Sequence, residues 1–234
     1  MNTPSTLWLI PASGGSKGIP GKNIKPFLGE SLVGRALRQA KECAQSHDTI
    51  FVSTDSNEIK KEAEKYDIEI PFLRPADLAS DSASTYDVIL HTLKEFKSKG
   101  KEFEKVVLLQ PTSPLRVTDD IKGALKLWTP NIDMVVSVCE AKSNPYYNAF
   151  ETNASGYLEI SKGDGNYTRR QDAPKVWEYN GAVYVISVPS LLNGPFSSFK
   201  KIKPYVMPAC RSIDLDTPMD WEIAEILYNH YIKK

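Results

Sequence analysis

The sequence predicts an α/β fold in which a mostly parallel β-sheet is covered by helices on both faces. First, short apolar runs rich in β-formers alternate with helical patterns as far as residue 139. Second, the helical stretches repeat apolar side chains every three or four residues, as helices packed on a sheet do. Third, a chain of 234 residues, 41% hydrophobic and 25% charged, has the size and composition of one compact domain. We therefore expect a single domain over residues 1–234.

Strands and helices are predicted in turn along the chain. Strands are expected at 7–12, 49–53, 68–73, 105–109, 133–138, 181–187 and 203–207. Helices are expected at 31–45, 56–66, 85–98, 118–128 and about 218–232. Asp55 is a candidate N-cap for the second helix, and Ser84, with Asp87 at the reciprocal position, for the third. Alternation of this kind favours parallel strands joined by crossover helices.

The pattern changes over residues 142–180. This stretch is rich in Asn, Tyr, Gly and charged residues, and Asn153-Ala154-Ser155-Gly156 predicts the turn of a hairpin. We expect an excursion from the sheet that serves as a lid or as a dimerisation contact.

Composition and charge argue against several classes of function. The 29 basic and 29 acidic residues leave a formal net charge of zero, so neither nucleic acid nor an anionic membrane is expected as a partner. Cys43, Cys139 and Cys210 are widely spaced, which disfavours a disulfide framework and a cysteine zinc site. No apolar run approaches the ~20 residues of a membrane span, and no secretory pattern opens the chain. A cytoplasmic location is expected.

The most informative segment is residues 10–23, Ile-Pro-Ala-Ser-Gly-Gly-Ser-Lys-Gly-Ile-Pro-Gly-Lys-Asn, which follows the first apolar run. Glycine-rich turns expose backbone N–H groups with little side-chain bulk in the way. Lys17 and Lys22 add positive charge. A polyphosphate suits that combination, so the loop predicts a nucleotide-handling enzyme.

This loop has two other interpretations. It matches G-x-S-x-G at 14–18, which would make Ser16 a nucleophile in a triad with Asp214 and His230. However, a nucleophile elbow runs straight into a helix, whereas Ile19-Pro20 interrupts this segment, and ester hydrolysis has no use for the lysines. The second alternative is a purely structural glycine turn.

A second segment, Ser212-Ile213-Asp214-Leu215-Asp216-Thr217, carries two carboxylates at i and i+2. On an extended strand these side chains point to the same face. Paired carboxylates suit Mg²⁺, which shares its coordination with substrate phosphates. The alternatives are an edge strand with two solvated acids, or a helix cap formed by Asp216.

Polar groups also follow the predicted strand at 105–109. Gln110, Thr112 and Ser113 can bind a sugar there, because loops at the carboxyl ends of parallel strands line the ligand crevice. The alternative is a rigid turn made by the two prolines at 111 and 114. Arg74 can hydrogen-bond a pyrimidine or a phosphate.

Two weaker signals complete the set. Ser82 and Ser84 precede a predicted helix whose N-terminus favours anions, although ordinary capping explains them equally. Arg169 and Arg170 can clamp a carboxylate, although a surface arginine pair is commoner.

Together these segments resemble the acylneuraminate cytidylyltransferases (CMP-sialic acid synthetases). The matching stretches are collinear and span nearly the whole chain: 11–23, 52–55, 72–84, 108–116, 170–171, 180–184 and 212–217. The resemblance implies a Rossmann-like, three-layer nucleotidyltransferase fold that is usually dimeric. It also implies transfer of CMP from CTP to a nine-carbon 2-keto-3-deoxy sugar acid, with Mg²⁺ as cofactor and pyrophosphate as by-product.

The resemblance assigns roles residue by residue. It implies that Lys17, Lys22 and Asn23 hold the triphosphate and that Arg74, Ala83 and Ser84 line the cytidine site, and the glycine-rich turn adds Ala12, Ser13, Gly14 and Gly15 as candidate nucleotide residues. It implies that Gln110, Arg170, Asn180 and Tyr184 bind the sugar, and the loop after residue 109 adds Thr112 and Ser113 as candidates. Asp214 and Asp216 correspond to the metal-binding pair, and Lys22 and Asp216 are the candidate catalytic groups.

Two departures from the family pattern bear on function. Ser13 stands where the family normally has an arginine that contacts the triphosphate, which raises the alternative of a weakly active or inactive nucleotide-sugar binder. The residues at 144–148 and 169–175 resemble those of family members that use legionaminic acid or related bacterial sugars more than those of sialic-acid-specific members. A further alternative is an enzyme that activates the eight-carbon acid 3-deoxy-manno-octulosonate.

Overall fold

The computed structural model describes residues 5–16, 18–79 and 83–233. Its strands are β1 (Thr6–Pro11), β2 (Pro26–Phe27), β3 (Glu30–Ser31), β4 (Thr49–Ser53), β5 (Lys105–Leu108), β6 (Met134–Glu140), β7 (Phe150–Thr152), β8 (Leu158–Ile160), β9 (Trp177–Ser187) and β10 (Ile202–Val206). Its helices are α1 (Leu32–Cys43), α2 (Asn57–Glu64), α3 (Thr85–Ser98), α4 (Thr118–Leu127), α5 (Val188–Asn193) and α6 (Pro218–Leu227). None of the described helices is both long and apolar enough to cross a bilayer.

Six strands form one central sheet in the order β10-β6-β9-β5-β1-β4. β1 is parallel to β4 and β5, and β10 is parallel to β6. β9 lies between β5 and β6 and is antiparallel to both. The mostly parallel sheet is therefore confirmed, with one antiparallel strand in its middle.

The main core lies along the centre of this sheet. Residues 7–10 of β1 and 106–108 of β5 are buried without alternation, as expected for strands covered on both faces. The apolar stripes of the helices cover them, with Ile59 and Ala63 on α2 and Ile89 and Phe96 on α3 buried.

Helix caps explain where two helices begin. Ser84 caps α3 as predicted, since its Oγ accepts the Asp87 N–H at 3.1 Å and donates to the Asp87 carboxylate at 2.6 Å. For α2 the predicted cap is wrong: Ser56, not Asp55, accepts the Ile59 N–H at 3.3 Å. The Asp55 carboxylate instead accepts the Gly14 N–H at 2.9 Å.

Three predicted elements have different bounds or are absent from the described chain. Residues 68–73, all of them described, form no strand, because Pro71 and Pro75 lack backbone donors and the stretch packs by side chains such as Phe72 on Phe51. The last helix ends at Leu227 and continues as a π-helical turn over Tyr228–Ile232. The described residues 212–216 form no regular strand, so the strand-based argument for their shared face does not hold.

The excursion is shorter than predicted. β6 ends at Glu140 and β9 begins at Trp177, so residues 177–180 belong to the central sheet instead of the excursion. The hairpin predicted around 153–156 is confirmed as β7 and β8, which pair with each other and not with the sheet.

A second, smaller core positions the functional residues. It contains Ile19, Phe27, Leu32, Leu115, Leu215, Trp221 and Ala224. These residues come from the first loop, the β2–β3 hairpin, the start of α1, the loop after β5, the segment before α6, and α6 itself. Burying them together brings distant parts of the chain to one edge of the sheet.

Candidate functional site

The site lies where β1, β4 and β5 end, because the loops that follow these parallel strands meet there. We call residues 11–23 the glycine loop and residues 212–217 the aspartate segment. A pocket of about 190 Å³ opens at this edge. Its lining comprises Pro11, Ser13, Ser16, Lys22, Asn23, Arg74, Gln110, Pro111 and Thr112.

The glycine loop and the aspartate segment are in direct contact. The Lys22 ammonium donates to the Leu215 carbonyl oxygen at 2.7 Å, although the two residues are 193 positions apart. The same ammonium lies 3.6 Å from the Asp216 carboxylate. A Cβ at Gly18 would collide with the backbone carbonyl oxygen of Asp216, so the closeness of the two segments requires glycine there.

Backbone contacts fix the shape of the glycine loop. The Ala12 N–H donates to Ser53 O at 2.9 Å, and the Asn23 side-chain amide donates to Ser13 O at 2.9 Å. Asp55 accepts the Gly14 N–H, and the next residue, Gly15, is exposed. Asn23 is thus a brace for the loop. Lys17 lies outside the described residues, so its role stays a prediction.

Arg74 supplies a fixed positive charge to the pocket wall. Its guanidinium donates to Ser53 Oγ at 3.1 Å, to the Ser53 carbonyl oxygen, and to Leu78 O at 3.4 Å. Burial lowers its pKa, and the charge of Asp55 opposes that shift. Because these bonds hold the guanidinium against the end of β4, Arg74 cannot swing freely as a surface arginine does.

The other predicted nucleotide residues lie at the start of α3. Ser84 is exposed and caps the helix, and Ala83, half-buried, precedes it. Ser82 lies outside the described residues. The capping contacts of Ser84 do not by themselves indicate a ligand.

The two aspartates differ sharply in environment. The Asp216 side chain is 74% exposed, while Asp214 is largely enclosed and its buried Oδ1 has no hydrogen-bond partner in the described part of the chain. Burial and then the charge of Asp216 raise the pKa of Asp214, against the opposing effects of Thr112 and Lys22. Asp216 is not the cap of α6. That cap is Thr217, whose Oγ1 accepts the Asp220 N–H at 3.3 Å.

Two predicted sugar residues, Thr112 and Tyr184, lie beside the aspartate segment, and a third, Gln110, lies against β9. The Thr112 carbonyl oxygen accepts the Leu215 N–H at 2.9 Å, and the Thr112 side chain acts to lower the pKa of Asp214. Tyr184 on β9 is also within electrostatic reach of Asp214, and burial followed by that charge raises its pKa to about 12. A Cβ on Gly181 would come within 2.9 Å of Gln110 Oε1, so Gln110 lies against the Gly181 backbone.

Asn180 and Ser113 lie beneath the site, in the protein interior. Asn180 Oδ1 accepts from the Ser137 hydroxyl at 2.6 Å, and its amide donates to Ser212 Oγ at 2.9 Å. The Ser113 hydroxyl is fully buried and donates to Asn180 O at 3.4 Å. Because these polar groups already bond to other parts of the protein, we interpret Asn180 and Ser113 as residues that support the site and not as direct ligands of a sugar.

Arg170 lies apart from this cluster. It sits on an exposed turn in the excursion and donates through Nη2 to the Ala141 carbonyl oxygen at 2.6 Å. It does not contribute to the described lining of the pocket. The structure therefore brings together Lys22, Arg74, Gln110, Thr112 and the two aspartates, but not Arg170.

Comparisons with known proteins agree with this arrangement. A family model described as cytidylyltransferase matches residues 7–189. The chain belongs to the cytidylyltransferase family. It is 34% identical to "Post-translational flagellin modification protein B" of Campylobacter coli, covering 94% of both chains. It is 30% identical to the "CMP-N,N'-diacetyllegionaminic acid synthase" of Legionella pneumophila, covering 94% of this chain and 95% of the relative.

A third relative and a solved structure extend the comparison. The chain is 31% identical to the "Pseudaminic acid cytidylyltransferase" of Campylobacter jejuni, covering 96% of this chain and 97% of the relative. The solved structure of a CMP:2-keto-3-deoxy-manno-octonic acid synthetase complexed with CTP matches with a TM-score of 0.70. That match has 16% identity and covers 96% and 98% of the two chains, and it confirms the Rossmann-like nucleotidyltransferase fold.

Membership of the cytidylyltransferase family makes this protein a nucleotidyltransferase and removes the hydrolase alternative. The geometry agrees, because in the described chain after Ser16 no helix begins before α1, whereas a nucleophile elbow leads directly into one. His230 is exposed in the turn after α6, where its ring packs on Tyr231.

The aspartate pair of this cytidylyltransferase fits a divalent cation. Asp214 presents a buried carboxylate oxygen that lacks a partner among the described residues, and Asp216 presents an exposed carboxylate. Oxygen ligands of this kind are those that Mg²⁺ prefers, and two carboxylates suffice when substrate phosphates and water complete its coordination. Over residues 5–16, 18–79 and 83–233 no group of three or more His, Cys, Asp or Glu side chains could hold a metal ion together.

Sequence reasoning missed one residue that shapes this cytidylyltransferase site. Arg116 is buried and donates to Gln110 O at 3.1 Å, to Ala182 O at 2.6 Å and to Gln39 Oε1 at 3.0 Å. Burial lowers its pKa to about 10, while Asp120 opposes the shift. It therefore ties the loop after β5 to β9. The sequence contained one indication of this buried arginine: Gln39 is a polar residue on the buried face of α1, so a polar partner had to lie opposite it.

Proposed function

We propose that this protein transfers CMP from CTP to the anomeric hydroxyl of a nine-carbon 2-keto-3-deoxy sugar acid. The observation that carries the proposal is the contact between Lys22 of the glycine loop and the aspartate segment. This contact supports binding of a metal–triphosphate complex, because Lys22 lines the pocket and its ammonium lies 3.6 Å from the Asp216 carboxylate. The relatives named for legionaminic and pseudaminic acids support an acceptor of this class.

The reaction forms a bond between the anomeric oxygen and the α-phosphorus of CTP. It breaks the bond from that phosphorus to the bridging oxygen, and pyrophosphate leaves with the electron pair. Catalysis of such transfers rests on alignment and on neutralising phosphate charge. We assign Lys22 and Arg74 to that charge, and Asp216 as the acceptor of the hydroxyl proton.

We propose that Asp214 and Asp216 hold Mg²⁺. When bound, this ion would neutralise charge on the triphosphate and on the leaving pyrophosphate. Support comes from the buried Asp214 Oδ1, which lacks a hydrogen-bond partner among the described residues, and from the exposed carboxylate of Asp216. Thr112 and Tyr184 flank Asp214 on the side where we expect the sugar.

For the sugar we assign Gln110, Thr112 and Tyr184 to direct contact, and Arg170 to the carboxylate of the acid. Support for Arg170 is its exposed position on the excursion, since an exposed guanidinium can contact a carboxylate through two nitrogens. Asn180 and Ser113 would support the sugar site indirectly: Asn180 bonds to Ser212 of the aspartate segment, and Ser113 bonds to the β9 backbone at Asn180.

We further propose that two copies associate through the excursion. The β7–β8 hairpin leaves Phe150, Tyr157 and Leu158 exposed by 54%, 73% and 70%. Phe150 and Leu158 lie on the same face of the hairpin, and exposed apolar side chains that share a face favour a protein contact over a free surface. We expect the reaction to take place in the cytoplasm, because the three cysteines are unpaired and CTP is the substrate.

The decisive experiment supplies CTP, Mg²⁺ and a panel of sugar acids. The panel contains legionaminic, pseudaminic and N-acetylneuraminic acids and 3-deoxy-manno-octulosonate, and release of pyrophosphate and formation of the CMP-sugar are measured. We expect turnover with a nine-carbon acid and preference for a legionaminate-type acceptor. Turnover with the eight-carbon acid alone would contradict the proposal. CTP binding without turnover would instead indicate the inactive binder that Ser13 suggests, and a S13R variant would then test that cause.

A further inference from the structure

The aspartate segment has no regular secondary structure, so contacts with its surroundings must fix its course. Residues 212–216, all described, belong to no helix or strand. Because residues that bind a metal keep their geometry only when surrounding groups support them, the contacts that anchor this segment bear on metal binding.

An ion pair lies immediately before the segment. Arg211 Nη2 lies 2.8 Å from Asp120 Oδ1 and Arg211 Nε lies 3.0 Å from Asp120 Oδ2, so the contact is bidentate. The Asp120 side chain is fully buried and that of Arg211 is 30% exposed. Bidentate arginine–carboxylate pairs hold geometry more strictly than single contacts do.

Helix capping accounts for only part of this arrangement. Asp120 Oδ2 accepts the Val117 N–H at 3.0 Å at the start of α4. The other oxygen, Oδ1, faces Arg211 and the Tyr205 hydroxyl at 3.4 Å, both from the chain around β10. Asp120 thus joins α4 to the turn over Ala209–Arg211, from which the aspartate segment begins.

The residues between Arg211 and the two aspartates are held by further contacts. Ser212 accepts the Asn180 amide at 2.9 Å and donates to Pro208 O at 2.9 Å. Asp214 comes three residues after Arg211, and because each residue spans at most about 3.6 Å, the position of the turn limits where Asp214 can lie. Leu215 is then fixed by Thr112 and by burial in the second core.

We propose that Asp120 and Arg211 form a positioning pair that fixes where Asp214 and Asp216 present their oxygens to the metal. The inference rests on the proposed function of those aspartates. Neither member of the pair touches substrate in this proposal. The pair acts through the turn, by holding the segment in its metal-binding course before the ion binds.

The test compares R211M and R211K with R38M and R38K. Arg38 is a matched control, because it makes a bidentate pair with Glu30 at 3.0 and 3.1 Å on the outer side of α1, away from the site. Binding of Mn²⁺ as a spin-active probe is measured by electron paramagnetic resonance in the presence of CTP. Hydrogen exchange of the Leu215 amide is measured in the metal-free protein.

We expect R211M to weaken Mn²⁺ binding by about 10-fold or more, the effect found for residues that orient metal ligands. R211K should fall between R211M and the unmodified protein, and both Arg38 variants should bind normally. Exchange of the Leu215 amide should be faster in R211M than in R38M, because the turn no longer holds the segment.

Two results would overturn the inference. One is normal Mn²⁺ binding with unchanged Leu215 exchange in R211M, or in R211K if R211M does not fold. The other is an equal loss in R38M, which would show a general effect of losing an ion pair. If the unmodified protein binds no Mn²⁺ with CTP, the proposed metal site fails, and the Leu215 exchange still decides whether the pair holds the segment.

Discussion

The nucleotide side of the site and the excursion are held in different ways. Around the glycine loop, contacts come from distant parts of the chain, such as Lys22 with Leu215 and Asp55 with Gly14. In the excursion most contacts are local, such as the Arg169–Asp172 pair and the pairing of β7 with β8. The first region is held by contacts across the fold, while the Ala141–Val176 and Arg170–Ala141 hydrogen bonds join parts of the excursion near its base.

This difference indicates which part of catalysis each region serves. A triphosphate and its metal need charges at fixed positions, and the packed side supplies them. A sugar acid with varied acyl groups needs a surface that can differ among relatives without disturbing the core, and loops outside the sheet tolerate such change. We therefore expect changes on the packed side to affect the rate, and changes in the excursion to affect the acceptor and the assembly.

The largest effect should come from the exposed carboxylate on the packed side. We expect D216N to lower kcat at least ~100-fold, because it removes a metal-binding charge and the proposed proton acceptor. Steady-state release of pyrophosphate measures the rate, and circular dichroism checks the fold. D119N, at an exposed acid on α4, is the control. Activity within a few-fold of normal in D216N would contradict the assignment of this carboxylate.

The next effect should separate the two substrates. We expect R170M to raise the KM for the sugar acid about 10- to 100-fold, the range for one lost charge-assisted hydrogen bond, with the KM for CTP unchanged. The neighbouring R169M is the matched control, since Arg169 forms an exposed pair with Asp172. Equal increases in both KM values would place Arg170 on the nucleotide side or assign it a general structural role.

Assembly should depend on the hairpin and not on the packed side. We expect L158S to weaken self-association, because Leu158 is 70% exposed on β8 and a hydroxymethyl group there loses apolar burial between copies. Analytical ultracentrifugation over a range of concentrations measures the change, with E159Q as a control on the same strand. A monomeric unmodified protein would show that the excursion is not a dimer contact and would favour the lid.

The smallest effect concerns the stability of the metal-free protein. Because the folded state raises the pKa of Asp214, folded protein binds more protons at this site than unfolded protein, and its stability falls as pH rises through the carboxylate range. D214N should therefore raise the free energy of unfolding in EDTA at neutral pH. This increase in the free energy of unfolding should vanish at a pH below the ordinary carboxylate pKa, where Asp214 is protonated in both the folded and the unfolded protein. Urea unfolding at both pH values measures it, and a destabilised D214N at neutral pH would contradict the argument.

The sequence by itself determined the elements and the chemistry of the segments. Local patterns placed most helices and strands within a few residues, and the glycine loop and the paired aspartates already indicated a nucleotide and a metal. These features are local, because helix periodicity, turn residues and charge spacing are properties of neighbouring residues. The same locality explains the errors at 68–73 and at Asp55, where packing overrode the local preference.

Only the tertiary structure decided how those segments combine. No pattern in the sequence shows that the Gly18 backbone meets Asp216, that Asn180 is occupied in the interior, or that β9 runs antiparallel between β5 and β6. Arg116 and the Asp120–Arg211 pair likewise gain their roles only from partners far along the chain. Burial and long-range packing set these contacts, and they depend on the whole chain being folded.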